Sequence, residues 1–448
     1  MDLAFTPLTL PCGQVLKNRI AKAAMEENLA TASQNLVPSQ ELIRVYQAWA
    51  DGGSGLIISG NVMVDYRAVG GAAPVSTSRE LVSEVRKDKA ALAAYRDWAS
   101  AATSNGTQFW LQLNHPGRQA FGPAKPRTIA PSPVAVDVGR MGKAFFNVPQ
   151  EMTEDDIEDV IARFAYSARF AEEIGATGVQ IHGAHGYLIS QFLSPLTNQR
   201  KDRWGGSLEN RARFLFEIVK AIRAAVSPSF AVALKINSAD FQRGGFSQDD
   251  AEWVITQLNG IRADNGAGLD LVEISGGNYE SPAMSGSPKE RSGSSSTQKR
   301  EAYFLDFAQR IAGVAQMPIM VTGGISRRDI VQKVVAPAPG QTADSVRTVA
   351  GMGTALGLMP DLPNRLARGE DPCPSLTAGT SWILPSTLVS LAKLRQISHC
   401  IYLIGQGKRP SPGVSQVWAL IADWLRGRKQ LQAYRALVVR ISSSAASP

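Results

Sequence analysis

The sequence predicts an α/β protein: a (β/α)8 TIM barrel with a C-terminal helical extension. Three observations carry that prediction. Short apolar runs alternate with longer amphipathic stretches, as they do when strands are buried on both faces of a parallel sheet. Eight such runs fit into about 340 residues, enough for a barrel with enlarged loops. No G-x-G-x-x-G turn follows any run, whereas a doubly wound sheet would place one there.

In order, the runs are Arg19–Met25, Gly55–Val62, Gln108–Leu113, Gly178–His182, Ala231–Asn237, Leu269–Ser275, Pro318–Gly324 and the weaker Val346–Gly353. Helical periodicity fills Asp88–Gly106, Thr153–Ala176, Ser207–Ser227, Ser247–Gly266 and Arg300–Gln316. Thr153 with Asp156, and Ser247 with Asp250, have the spacing of N-terminal capping boxes. Three stretches are irregular: Gly122–Gln150, Gly276–Gln298 and Val335–Ser345. The first two follow the third and sixth strands and are expected to lie over the strand C-termini as lid or substrate loops. Residues 1–368 form the barrel, and 369–448 a basic, mainly helical extension whose clearest helix is Trp418–Arg440.

The 448 residues carry 47 Lys+Arg against 39 Asp+Glu, a net +8, with 44% hydrophobic and 19% charged residues. That composition excludes wholesale disorder. The charge sits at one end: from Asn364 onward eleven Lys/Arg face three acids, so the preceding 363 residues are neutral. A neutral body with a basic tail does not read as a nucleic-acid binder. Cys12, Cys373 and Cys400 are too few and too scattered for a disulfide framework or a CxxC metal site, which points to a reducing compartment. The N-terminus shows no signal-peptide pattern, and no apolar stretch is long enough for a membrane span. A cytoplasmic protein is expected.

Candidate chemistry clusters at strand ends. Of the histidines His115, His182, His185 and His399, three fall just after predicted strands. The i, i+3 pair His182/His185 raises a metal site, but the remaining strand ends offer Gln112, Lys235, Ser275 and Gly324 instead of further ligands, so no metal is expected. Two histidines and Tyr187 within six residues at a barrel mouth point to a small-molecule site. Lys235 lies inside an apolar strand, where an unpaired cation is expensive. It needs an anionic or strongly accepting ligand or, alternatively, a salt bridge to a neighbouring acid. Gln112 both donates and accepts, as recognition of a heteroaromatic edge requires. Glycines in Thr322–Ile325 and Gly351–Leu356 follow strands seven and eight, the usual phosphate position of this fold.

Taken together, NRIAKAAM, LQLNHPGRQ, HGAHGYLISQFLSPLTNQRKDRWGGSLENRARF, VEISGGNYE and VTGGI resemble the Old Yellow Enzyme family of FMN-dependent ene-reductases, most closely its fungal NADH:flavin oxidoreductase branch. The resemblance runs from Met1 to about Arg368, and His182–Phe214 is its most specific stretch. It implies bound FMN with NADH or NADPH as hydride donor. It also implies reduction of an activated C=C in an enone-like small molecule, in fungal secondary metabolism or detoxification. By resemblance, the backbone at Ala24, Met25 and Asn61 lines the flavin and Gln112 meets its pyrimidine edge. Lys235 stands near N1 and the C2 carbonyl, while Gly323, Gly324, Gly353 and Thr354 hold the phosphate. His182 and His185 bind the substrate oxygen, and Tyr187 donates the proton.

Two positions depart from the family pattern. Glu26 stands where Thr or Cys is common, so its carboxyl is expected to point away or to be protonated. Thr354 replaces an Arg, with loss of a charge and of a bidentate phosphate contact. Rival readings are a dienoyl-CoA-reductase-like enzyme, opposed by the lack of an iron–sulfur cysteine set, and a flavin-less or redox-neutral barrel acting as a binding or pathway protein. A homo-oligomer is compatible with the basic tail, which the charge distribution places outside the region that carries the chemistry.

Overall fold

The computed structural model describes residues 2–139, 145–277, 280, 307–337, 341–377, 384 and 386–445. Eight strands close into a barrel: β1 (Ile20–Lys22), β2 (Leu56–Met63), β3 (Gln108–Asn114), β4 (Gly178–Gly183), β5 (Ala231–Asn237), β6 (Leu271–Ser275), β7 (Ile319–Thr322) and β8 (Thr348–Met352). Each pairs in parallel with the next, and β8 returns to β1. Alternate side chains point inward. Ala21, Leu56, Ile58, Trp110, Ala233, Leu271, Met320 and Val349 fill the lower barrel. An N-terminal hairpin, Leu8–Thr9 against Val15–Leu16, plugs the floor with Leu8, Leu10 and Leu16. That end is sealed with apolar side chains, so the polar groups converge at the strand C-termini.

Around the barrel run α1 (Gln40–Asp51), α2 (Arg79–Lys87), α3 (Lys89–Ala102), α4 (Glu154–Glu173), α5 (Leu188–Leu193), α6 (Leu208–Ala225), α7 (Gln248–Leu258), α8 (Arg328–Val334), α9 (Thr354–Leu358) and α10 (Leu362–Ala367). Both expected capping boxes form, Thr153 with Asp156 on α4 and Ser247 with Asp250 on α7. The helix expected to reach Gly266 stops at Leu258. There the Asn259 side chain donates to the Val314 carbonyl and accepts from the Gln316 N–H, tying the chain to the next unit in place of another helical turn. Of the stretch Arg300–Gln316, residues 307–312 are helical and 300–306 lie outside the described residues. Most of Gly276–Gln298 lies outside them too.

The extension forms two helices, α11 (Ser386–Gly405) and α12 (Gln416–Ala445). Both dock on the barrel. A side chain at Gly357 of α9 would stand 3.0 Å from Ile397, so α11 approaches α9 closely. Arg44 of α1 donates to the Gly405 carbonyl at 2.8 Å. On α12 the buried Tyr434 hydroxyl donates to the Tyr66 carbonyl at 2.7 Å, and Gln430 accepts from the Ala32 N–H at 3.1 Å. Tyr66 and Ala32 belong to the loops that follow β2 and β1.

Candidate active site

A bulge in β2 shapes the first wall. The β2–β3 register shifts between Ile58 and Asn61, the Ser59 hydroxyl accepts from the Gln112 N–H at 2.8 Å, and Asn61 is re-aimed to the mouth. Gly60 at the bulge has no room for a Cβ, which would lie 2.3 Å from Glu27 Oε2 and from the Met25 carbonyl. Glycine here lets the chain after β1 lie directly on β2. Beneath it lies an ion pair that the sequence reading missed. Lys22, fully buried outside the barrel wall, contacts Glu27 at 3.1 Å and sits 4.2 Å over the Trp49 ring. Tyr46 donates to the same carboxylate at 2.7 Å. The signal was a lysine in a strand with an acid five residues on.

A polar chain crosses the barrel one layer above the apolar floor. Gln112 donates to Gln180 at 2.7 Å, Gln180 donates to Glu273 at 2.7 Å, and Lys235 pairs with Glu273 at 2.9 Å. All four are buried. Lys235 and Glu273 face each other in register on β5 and β6. The partner that Lys235 required is thus a neighbouring acid, one of the two alternatives open to the sequence. Glu273 was visible in LVEIS, but its facing register was not.

His182 ends β4, and the chain then turns sharply: His185 has φ +61° and Tyr187 caps α5. The His182 ring lies edge-on to His185 (5.1 Å between centroids) and to Tyr187 (4.8 Å). The Ala184 N–H donates to His182 Nδ1 at 3.3 Å, so the proton of the neutral ring sits on Nε2. Burial, reinforced by the neighbouring His185 and Lys235, holds His182 well below the usual imidazole range. His185 is lowered likewise, by burial and Lys235, and its Nε2 meets Ser275 Oγ at 2.7 Å. Asn61 Nδ2 donates to the Tyr187 hydroxyl at 3.3 Å, joining the β2 and β4 walls. The two motif loops clasp each other through Gln191, which donates to the Pro116 and Gly186 carbonyls and accepts from the Arg118 N–H. Glu280, in the loop after β6, accepts from Arg118 and from the Asp137 N–H. It thereby ties together the two loops expected to cover the mouth.

Glu26 follows β1 beside Asn61. Burial pushes its carboxyl up to about 7, against the pull of Arg395. Arg395 and its ion-pair partner Asp423 (3.0 Å) come from α11 and α12. α12 packs on the loops after β1 and β2, and α11 on α1 and α9, which brings the charges of Arg395 and Asp423 near enough to act on Glu26.

Several buried polar atoms at this end have no hydrogen-bond partner among the described residues: Glu26 Oε1, Asn61 Oδ1, both amide atoms of Asn114, and Thr322 Oγ1. Unmet polar groups at the strand C-termini, above a floor with its own internal partners, fit a bound polar planar group. Gly323 and Gly324 have φ +149° and +70°, conformations that favour glycine, and expose backbone after β7. A side chain at Gly353 would meet only Met25, at 3.9 Å, so the loops after β8 and β1 leave a gap there. Thr354 is exposed. Of the residues expected from the sequence, Asn61, Gln112, His182, His185, Tyr187, Lys235 and Glu26 lie along one wall and floor, and the glycines of β7 and β8 close the far side. Among the described residues no His/Cys/Asp/Glu group is suited to a metal, and all three cysteines are free.

The barrel and its mouth define an α/β-barrel enzyme with a site for a planar cofactor. Residues 3–369 match the family described as NADH:flavin oxidoreductase / NADH oxidase. The chain is 36% identical over 345 residues to the NADH-dependent flavin oxidoreductase iliE of Hypocrea jecorina, covering 74% of this chain and 82% of that protein. It is 32% identical over 441 residues to the NADH-dependent flavin oxidoreductase nadA of Aspergillus parasiticus, covering 96% and 93%. Among solved structures, TcOYE with pHBA superposes with a TM-score of 0.66 at 20% identity, over 84% of this chain and 95% of that one. The chain belongs to the NADH:flavin oxidoreductase / NADH oxidase family, the Old Yellow Enzyme group. It is an FMN-dependent oxidoreductase that uses a nicotinamide hydride donor.

Proposed function

We propose that this enzyme reduces the activated C=C bond of an enone-like small molecule. The observation that carries the reading is the packing of His182, His185 and Tyr187 into one edge-to-edge cluster at the end of β4. FMN, when bound, supplies the hydride that it receives from NADH or NADPH. Asn61 and Gln112, with the backbone at Ala24 and Met25 and the Glu26 side chain, would hold its ring system, and Gly323, Gly324, Gly353 and Thr354 its phosphate.

His182 supports the role of a neutral donor. With Nδ1 already accepting a backbone N–H, its Nε2–H is available for a carbonyl or nitro oxygen. Such a hydrogen bond withdraws electron density from the conjugated C=C and strengthens as charge develops on the oxygen. His185 is oriented by Ser275 and by its own N–H, which donates to Asn237 Oδ1 at 3.1 Å. Tyr187 delivers a proton from its hydroxyl to Cα of the substrate, with Asn61 orienting that hydroxyl from the opposite wall. Lys235 would present a positive charge to the flavin ring system, tempered by its pairing with Glu273. Thr354 leaves the phosphate to backbone donors. We place the reaction in secondary metabolism or enone detoxification, as the resemblance to the fungal branch implies.

The test is a titration of the FMN-loaded enzyme with a phenol and with an enone, followed by flavin absorbance. His182→Ala/His185→Ala is expected to weaken binding at least about tenfold, since each lost hydrogen bond to a developing or full charge contributes about 1.5–3 kcal/mol. Unchanged affinity would refute the role given to the pair.

A further inference from the structure

We propose that the outward face of α12 docks the enzyme peripherally on an anionic lipid surface. The helix is apolar on two sides. One side carries Ala419, Ala422, Tyr434, Leu437 and Ile441, buried against the barrel and α11. The other carries Trp418, Ile421, Trp424 and Leu425, with 54%, 44%, 60% and 50% of their surface exposed. Their spacing, i, i+3, i+6 and i+7, puts them on one stripe. Among the described residues, packing on the barrel leaves about half of this stripe's surface open, including two tryptophans within two turns.

Charge selects the occupant. Next along the helix come Arg428 and Lys429, both exposed, whereas Arg435 and Arg440 turn back to the Pro123 carbonyl and the Asn35 side chain. The guanidinium of Arg428 stands 5.6 Å from the Trp424 ring. Asp423 is the sole acid after Asp371, and it is taken up by Arg395 at 3.0 Å and Arg426 at 3.8 Å. A second copy seated on this stripe would bring cations against cations. An acidic membrane surface meets both halves at once: indole rings settle at the headgroup level, and the adjacent Lys and Arg neutralise anionic headgroups. The contact is peripheral, since no described helix is long and apolar enough to cross a membrane.

The FMN-loaded full chain is floated with phosphatidylcholine vesicles that contain phosphatidylserine, and with pure phosphatidylcholine vesicles. Binding is expected to the first alone, and to fall at least about tenfold when salt is raised to ~0.5 M, where exposed charges are strongly screened. Trp418→Ser/Trp424→Ser and Arg428→Glu/Lys429→Glu are each expected to abolish flotation while leaving the circular dichroism and the rate of flavin reduction by NADH unchanged. Equal binding to both vesicle types would overturn the electrostatic basis. Absence of vesicle binding would overturn the proposal outright. So would a dimer in sedimentation velocity that the tryptophan variant dissociates, since the face would then belong to a second copy.

Discussion

Replacing Glu26 by Gln isolates the effect of one buried carboxyl at the mouth. Burial lifts Glu26 from its ordinary 4.5 to about 7. The unfolded chain therefore loses this proton first as pH rises, and the folded state is progressively penalised between pH 4.5 and 7. At about 1.4 kcal/mol for each tenfold change in proton affinity, the rise from 4.5 to about 7 sets an upper bound of about 3.5 kcal/mol. The side chain as a whole is partly accessible although Oε1 is sealed, which brings the expectation to about 2 kcal/mol. Glutamine cannot ionise. The variant should match the wild type below pH 4.5 and exceed it by about 2 kcal/mol at pH 8. The assay is urea unfolding of both proteins at matched FMN concentration across that range. The histidines slope the other way. Burial holds His115 at about 4 and lowers His182 and His185, so their contribution is present above pH 6.5 and is lost as pH falls. They are common to both proteins and cancel in the difference. A difference that stays flat with pH would refute the reasoning. It would mean that Glu26 is solvated or is compensated by Arg395 at every pH.

Three other outcomes are expected. Tyr187→Phe should leave flavin reduction by NADH unchanged in stopped flow, and should slow reoxidation by an enone by about 10²–10⁴-fold; equal slowing of both half-reactions would count against proton donation. Glu273→Leu strands Lys235 in the barrel without its anion and should cost about 3–5 kcal/mol in denaturant unfolding, most of it recovered in Lys235→Met/Glu273→Leu. Tyr434→Phe leaves the Tyr66 carbonyl without its donor, and should cost about 1–3 kcal/mol and loosen α12, read as faster hydrogen exchange in Gln416–Ala445.

The barrel was legible because its strands are continuous apolar runs and its helices carry caps. Thr153 and Ser247 mark helix starts to the residue, while a helix end set by tertiary contacts, such as Asn259 reaching Val314, leaves no periodic trace. The site was legible where chemistry concentrates in a short segment, as in His182–Tyr187. It was opaque where two strands must meet. Glu273 opposite Lys235, and Gln180 opposite Gln112, depend on inter-strand register, which no local pattern fixes. The docking of the tail was opaque for a similar reason: its composition differs from that of the barrel, and no local pattern sets Tyr434 against the Tyr66 carbonyl.

The most direct test of the account follows the absorbance of the purified protein. With FMN bound it should be yellow and should bleach anaerobically on addition of NADH or NADPH. Colour should return on addition of an enone, with the saturated ketone formed in equal amount. Bleaching without return of colour would contradict the proposed substrate class. A protein that stays colourless and cannot take up FMN would contradict the reading of the mouth itself.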